Sequence, residues 1–167
     1  RGAEEAVQAM QFVKDAVLLI LGSGDVIGTL KQMTTDLKLE NKVLFKPRMP
    51  YTKMMAHTVL ADLGLTLDKD TNINYRYSLP NKLFDYIHAG IPTLASNLVE
   101  VKRIIEEYGV GEIADSHEPK QLAEKMNEML SSSDTKRWKE NCQKAAIELT
   151  WQKESKKLEE LIDRISG

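Results

Sequence analysis

Leu79-Pro80-Asn81-Lys82-Leu83-Phe84-Asp85-Tyr86-Ile87-His88-Ala89-Gly90-Ile91-Pro92-Thr93-Leu94-Ala95-Ser96 contains a complete passage from helix to strand. Pro80 suits the first helical position, where its missing N–H would have no partner. Leu83, Phe84 and Ile87 share one helical face, and Gly90 supplies the left-handed stop that ends many helices. Residues 91–95 then form a short apolar run of the kind that is buried as a strand.

The same alternation extends in both directions. Upstream, Ala3, Ala6, Val7, Met10 and Val13 fall on one helical face, and the apolar run 16–21 reads as a strand buried on both faces. Gly22-Ser23-Gly24-Asp25 closes that run, with Asp25 placed to cap a helix whose inner residues are Ile27, Leu30 and Leu37. A strand over 42–45, a turn over 46–50 and a short helix with Tyr51, Met54, Met55 and Val59 inward come next. A further strand, 61–67, precedes a polar loop over 68–78. A loop of that length in a compact domain is usually a binding segment. Downstream, Asn97 reads as a cap, Val101, Ile104, Ile105 and Tyr108 as a helix face, and 111–114 as a weak strand. Three helical segments follow. Their inner residues are Leu122, Met126, Met129 and Leu130, then Trp138, Cys142, Ala146 and Leu149, then Leu158, Leu161, Ile162 and Ile165.

Alternating strands and helices predict an α/β fold, a Rossmann-like, doubly wound parallel sheet with helices on both faces, because parallel neighbours need crossover helices. Ligands of such sheets sit at the carboxyl ends of the strands. Here those ends are residues 22–25, 46–49, 68–82 and 96–97.

Composition narrows the function. The 167 residues include 23 Lys or Arg and 25 Asp or Glu, a formal charge of −2 without a basic cluster, which disfavours a nucleic-acid or anionic-lipid partner. No apolar run approaches the roughly 20 residues needed to span a bilayer, and no basic-then-apolar leader opens the chain. One cysteine and three scattered histidines supply neither an internal disulfide nor a structural zinc site, so a reduced, cytoplasmic and metal-free protein is expected. There is no initiator Met, and Arg1-Gly2 stands directly before a helix pattern.

Gly22 and Gly24 would begin a dinucleotide fingerprint only with a glycine where Ile27 stands, so they read as a tight turn that lets a ligand approach the backbone. The helix opening at Pro80 is chemically stronger. Its free N–H groups and positive dipole end, with Lys82 in the first turn, form an anion site suited to phosphate. Asp85, three residues on and on the same side, can accept two hydrogen bonds from a vicinal diol such as a ribose. Lysine near phosphate and aspartate near ribose describe a nucleoside diphosphate; by spacing alone the two also read as a solvated ion pair.

The block 79–96 resembles the "P-N-K-L-F-E-Y-x-x-A-G-x-P-V-I/L-A-S" block of retaining glycosyltransferases of the two-domain GT-B type, the glycosyltransferase group 1 or family 4-like enzymes. Weaker features are similar in the same order. Arg1-Gly2 resembles the Lys/Arg-Gly that opens the first helix of the donor domain, residues 19–24 the "L-x-I-x-G-x-G" turn, and residues 43–50 the "V-x-F-x-G-x-V-P" segment. Trp151 and the closing helix resemble the terminal region. The resemblance implies that residues 1–167, with the C-terminal helices from about 151, are the nucleotide-sugar donor-binding half. An N-terminal acceptor domain of the same enzyme is absent, and the sheet lacks its first strand.

By resemblance, Arg1 and Lys82 are catalytic, stabilising the departing diphosphate without a metal ion or other cofactor. Gly22, Gly24, Arg48, Met49, Asn81, Lys82 and Asp85 bind the donor. Apart from the resemblance, Asn72, Asn74 and Arg76 in the polar loop read either as further contacts to the donor sugar or diphosphate or as part of a solvated loop. Asp85 takes the place of the second glutamate of the family's Glu-x7-Glu motif. The first falls at Tyr77, so that acid is missing. Pro47 replaces the family's glycine and removes a backbone donor. The expected partners are the nucleotide-sugar donor and the N-terminal domain, any membrane association arising only through that missing half. Transfer of a sugar to an acceptor is the leading reading, with little turnover from this fragment alone. A sugar-nucleotide epimerase half-domain and a non-enzymatic α/β binding module are the alternatives. His57, His88 and His117 read as surface, loop or helix-end residues. Cys142 reads as a buried structural thiol, and Lys156, Glu160 and Arg164 as an exposed paired face.

Overall fold

The computed structural model describes residues 2–166. The elements run α1 (Ala3–Ala9), β1 (Leu18–Leu21), α2 (Ile27–Asp36), β2 (Val43–Lys46), α3 (Tyr51–Thr58), β3 (Gly64–Thr66) and α4 (Ile73–Tyr77). They continue with α5 (Asn81–Ala89), β4 (Thr93–Ser96), α6 (Val99–Tyr108), β5 (Gly111–Ala114), α7 (Pro119–Leu130), α8 (Thr135–Glu148) and α9 (Trp151–Ser166). Every ladder among the described residues is parallel. β1 pairs with β2, and β4 lies between β3 and β5.

Side chains alternate across a strand, and β4 shows where each layer of helices lies. Leu94 joins a core with Val7, Met10, Leu30, Leu122 and Met126, from α1, α2 and α7 and their flanks. Its neighbour Ala95 joins the opposite core with Leu83, Ile87, Val101, Ile105 and Cys142, from α5, α6 and α8. Helices therefore cover both faces of β4, as the strand-helix alternation requires. The buried Cys142 donates from Sγ to the Ile91 carbonyl at 3.4 Å, and burial pushes its thiol up to about 11.

The two ladders are not hydrogen-bonded to each other among the described residues. Their side chains still meet in one core, where Leu18 and Ile20 of β1 pack with Leu65 of β3 and Leu67 just beyond it. Leu18 and Ile20 pack into the core while Val17, Leu19 and, beside it on β2, Leu44 face outward, so one face of this ladder is uncovered and the run 16–21 is not buried on both faces. Val17 is 55% and Leu19 38% exposed.

Several local expectations differ from the structure. Val26, not Asp25, is the N-cap of α2, without a side-chain bond, and Leu98 rather than Asn97 precedes α6. Tyr51 and Val59 lie exposed on α3, because the helix has eight residues and Tyr51 turns toward α5. The loop 68–78 contains α4, capped by Asn72, whose side-chain oxygen accepts the Tyr75 N–H. Ile162 and Ile165 are exposed, since helical period marks an apolar face without specifying what covers it. Leu158, Leu161 and Glu160, with both expected pairs of Glu160, lie outside the described side chains.

α5 is fixed by contacts at both ends. Gly90, in the left-handed conformation at φ 73°, ends it, and the Tyr86 hydroxyl donates to the Leu65 carbonyl of β3 at 3.2 Å. A Cβ on Gly64 would fall 2.5 Å from the Tyr86 ring, so the missing side chain of Gly64 is what lets α5 approach β3. Gly64→Ala is expected to cost about 1–3 kcal/mol through overpacking, a fall in Tm of about 5 °C. Gly28→Ala, on α2 with nothing within 4 Å of an added Cβ, is expected to leave Tm unchanged or slightly raised. Thermal unfolding of the two variants checks the contrast.

Candidate functional site

The carboxyl ends of the strands form a continuous edge. Gly22, just beyond β1, donates its N–H to the Lys46 carbonyl at the end of β2 at 3.0 Å. The segment after β2 carries exposed Arg48 and half-buried Met49, then Pro50 leads into α3. From the first residue of α3, the Tyr51 hydroxyl donates to Asp85 Oδ1 on α5 at 2.9 Å. Lys82, in the first turn of α5, pairs with Asp68 beyond β3 at 3.1 Å.

The opening of α5 keeps the donors an anion needs. Leu83 donates its N–H to the Pro80 carbonyl at 3.0 Å, while the N–H groups of Asn81 and Lys82 precede that bond and have no helical carbonyl behind them. No side chain caps this end. Asn81 is exposed, Lys82 and Asp85 are half-buried, and all three lie within the first five residues of the helix. Gly22 and Gly24 are open on the ligand side, since a Cβ on either would meet nothing within 4 Å.

A second polar group lies beside this one. The Ser96 hydroxyl at the end of β4 and His117 Nε2 beyond β5 are 2.9 Å apart, and Glu5 on α1 pairs with Lys69. Burial works to raise the Glu5 pKa. The hydrogen bond from Lys69, the Glu5 backbone N–H and the charges of Lys69 and His117 outweigh it and hold the carboxyl below its ordinary range. Asp68 is 6% exposed, and its Oδ1 has no hydrogen-bond partner among the described residues.

Residues 1–146 match the family described as Glycosyl transferases group 1. The chain belongs to that family. No curated protein matches it in sequence. Among solved structures the group 1 chain is similar to WaaG, a glycosyltransferase involved in lipopolysaccharide biosynthesis, with a TM-score of 0.71 and 18% identity. That likeness shows the fold, a GT-B half. It covers 87% of this chain and 39% of WaaG.

Within this group 1 domain the structure brings together Asn81, Lys82 and Asp85, and links them through Tyr51 to the loop bearing Arg48 and Met49. Arg1 lies outside the described residues. Asn74 is exposed on α4, and Arg76 is held by both carboxylate oxygens of Asp70 at 3.0 Å, so these two lie on a segment bonded within itself. Tyr77 is exposed on α4. His88 makes a 2.9 Å contact with the Leu149 carbonyl of the α8 C-cap, and His57 lies 3.4 Å from Lys46. A groove of about 720 Å³ between α1 and α2, with Gln8, Gln11 and Asp36 on its walls, contains none of the expected site residues. No helix among the described residues is long and apolar enough to cross a membrane. Periodicity missed Tyr51 and Asp68 as site residues. Tyr51 was read as core, and Asp68 carried no signal beyond its place at the end of a strand.

The hydrogen bond to Asp85, with slight burial and the carboxylate charge, holds the Tyr51 phenol above its ordinary value of 10.0. The neutral phenol is the bonded form. Its stabilising contribution is complete below the unfolded pKa and is lost as pH rises through the folded one. A titration of the Tyr51 ring resonance should show a raised midpoint that returns toward 10 in Asp85→Asn; an unchanged midpoint would contradict the contact.

Proposed function

We propose that this chain is the donor-binding part of a glycosyltransferase that takes a nucleoside diphosphate sugar. The observation that carries the proposal is the uncapped opening of α5, with the Asn81 and Lys82 N–H groups, the Lys82 ammonium and the Asp85 carboxylate within five residues. Diphosphate oxygens accept from the two amides and from Lys82, and Asp85 accepts from the ribose hydroxyls through the oxygen that Tyr51 leaves free. The open backbone at Gly22 and Gly24 and the segment bearing Arg48 and Met49 line the rest of the nucleotide path.

Sugar transfer breaks the bond between the anomeric carbon and the terminal phosphate oxygen, and negative charge builds on the departing diphosphate. Donors fixed before the reaction stabilise that charge more than they stabilise the bound donor. Lys82 and the helix opening fill this role here, and Arg1 joins them by resemblance to the family. The acceptor hydroxyl attacks from the other side of the cleft, which belongs to the N-terminal domain, so this chain binds donor with little turnover.

Titration with UDP, GDP and ADP while following backbone amide signals tests the proposal. Saturable shifts centred on residues 81–85 are expected for at least one nucleotide, with Asp85→Ala weakening that binding about tenfold. Absence of binding at millimolar concentrations of all three would overturn the site assignment.

A further inference from the structure

Asp68 is one of the side chains, with Glu5, Thr66 and Thr93, that carry a buried polar atom without a hydrogen-bond partner among the described residues, and it is the one paired with a residue of the α5 opening. It follows β3 directly, is 6% exposed, and offers Oδ2 to Lys82 at 3.1 Å while Oδ1 has no partner among the described residues. A buried carboxylate oxygen without a donor is costly, and such groups in folded proteins usually await a ligand or a solvent donor. The missing group must be an O–H or N–H, because an ionised carboxylate only accepts.

We propose that Asp68 binds hydroxyl groups of the transferred sugar. The inference rests on the reading of the α5 opening as a nucleoside diphosphate site. Phosphate oxygens are themselves anionic acceptors and are repelled by a carboxylate, so they occupy the amides of Asn81 and Lys82 and not Asp68. The ribose falls to Asp85, one helical turn further along α5. The one remaining part of a nucleotide sugar that is rich in hydroxyl donors is the sugar, and Asp68 stands at the opening of the same helix. Lys82 couples the two ends of the ligand. When its ammonium turns to the diphosphate, Oδ2 is released for a hydroxyl donor.

The test compares each free nucleotide with its sugar conjugate on the 167-residue chain: UDP with UDP-glucose, GDP with GDP-mannose, ADP with ADP-glucose. For the base that binds, Asp68→Asn and Asp68→Ser are expected to lower affinity for the sugar conjugate about tenfold while changing affinity for the free diphosphate less than about twofold. Lys82→Gln should weaken both ligands alike and leave their ratio unchanged. If the Asp68 variants move both ligands equally, Asp68 acts only by holding Lys82 and the inference is overturned. If no nucleotide binds at all, the diphosphate site falls together with it. Amide spectra recorded without ligand establish that both Asp68 variants are folded.

Discussion

The site depends on how α5 seats against β3. Leu83 and Ile87 are buried in the core on that face of the sheet, and the Tyr86 hydroxyl donates to the Leu65 carbonyl over the bare backbone of Gly64. Burial pushes the Tyr86 phenol up, so it stays a neutral donor across the physiological range. With the far end stopped at Gly90, the helix has little freedom to slide, and its opening is held at the carboxyl edge of the sheet. Truncating a buried residue such as Leu83 typically costs about 2–5 kcal/mol, so apolar packing is a main determinant of where the charged groups of α5 stand.

Electrostatics then decides what the position is used for. The helix opening presents N–H groups and an ammonium, an arrangement that favours an anion, and it is flanked by two carboxylates, Asp68 and Asp85. A simple anion would satisfy the centre and leave the flanks unused. A ligand with anionic oxygens in the middle and hydroxyl-bearing groups on either side satisfies all of them. That match of charge and donor pattern, together with membership of the group 1 family, is what favours a nucleoside diphosphate sugar over free phosphate.

Much of this was legible in the amino-acid order. The parallel α/β class follows from alternating strand and helix patterns, residues 111–114 read as the strand β5, and Pro80 and Gly90 mark the bounds of the helix that carries Lys82 and Asp85. Other features depend on three-dimensional neighbours. Tyr51 has helical spacing with Met54 and Met55 and so reads as core, yet its hydroxyl reaches a carboxylate 34 residues away. The role of Gly64 exists only because Tyr86 lies over it. Asp68 sat in a polar loop, and its burial and unsatisfied oxygen arise from the packing of β3, α5 and the adjoining loops. The run 16–21 is apolar throughout, yet Val17 and Leu19 are exposed, since an apolar run does not report which of its faces a helix covers.

The most direct measurement is a crystal structure of the chain with bound nucleoside diphosphate. The account predicts terminal phosphate oxygens within hydrogen-bond distance of the Asn81 and Lys82 backbone nitrogens, Lys82 Nζ turned from Asp68 to the diphosphate, and a ribose hydroxyl on Asp85. A nucleotide seated in the groove between α1 and α2, with the α5 opening unengaged, would contradict it.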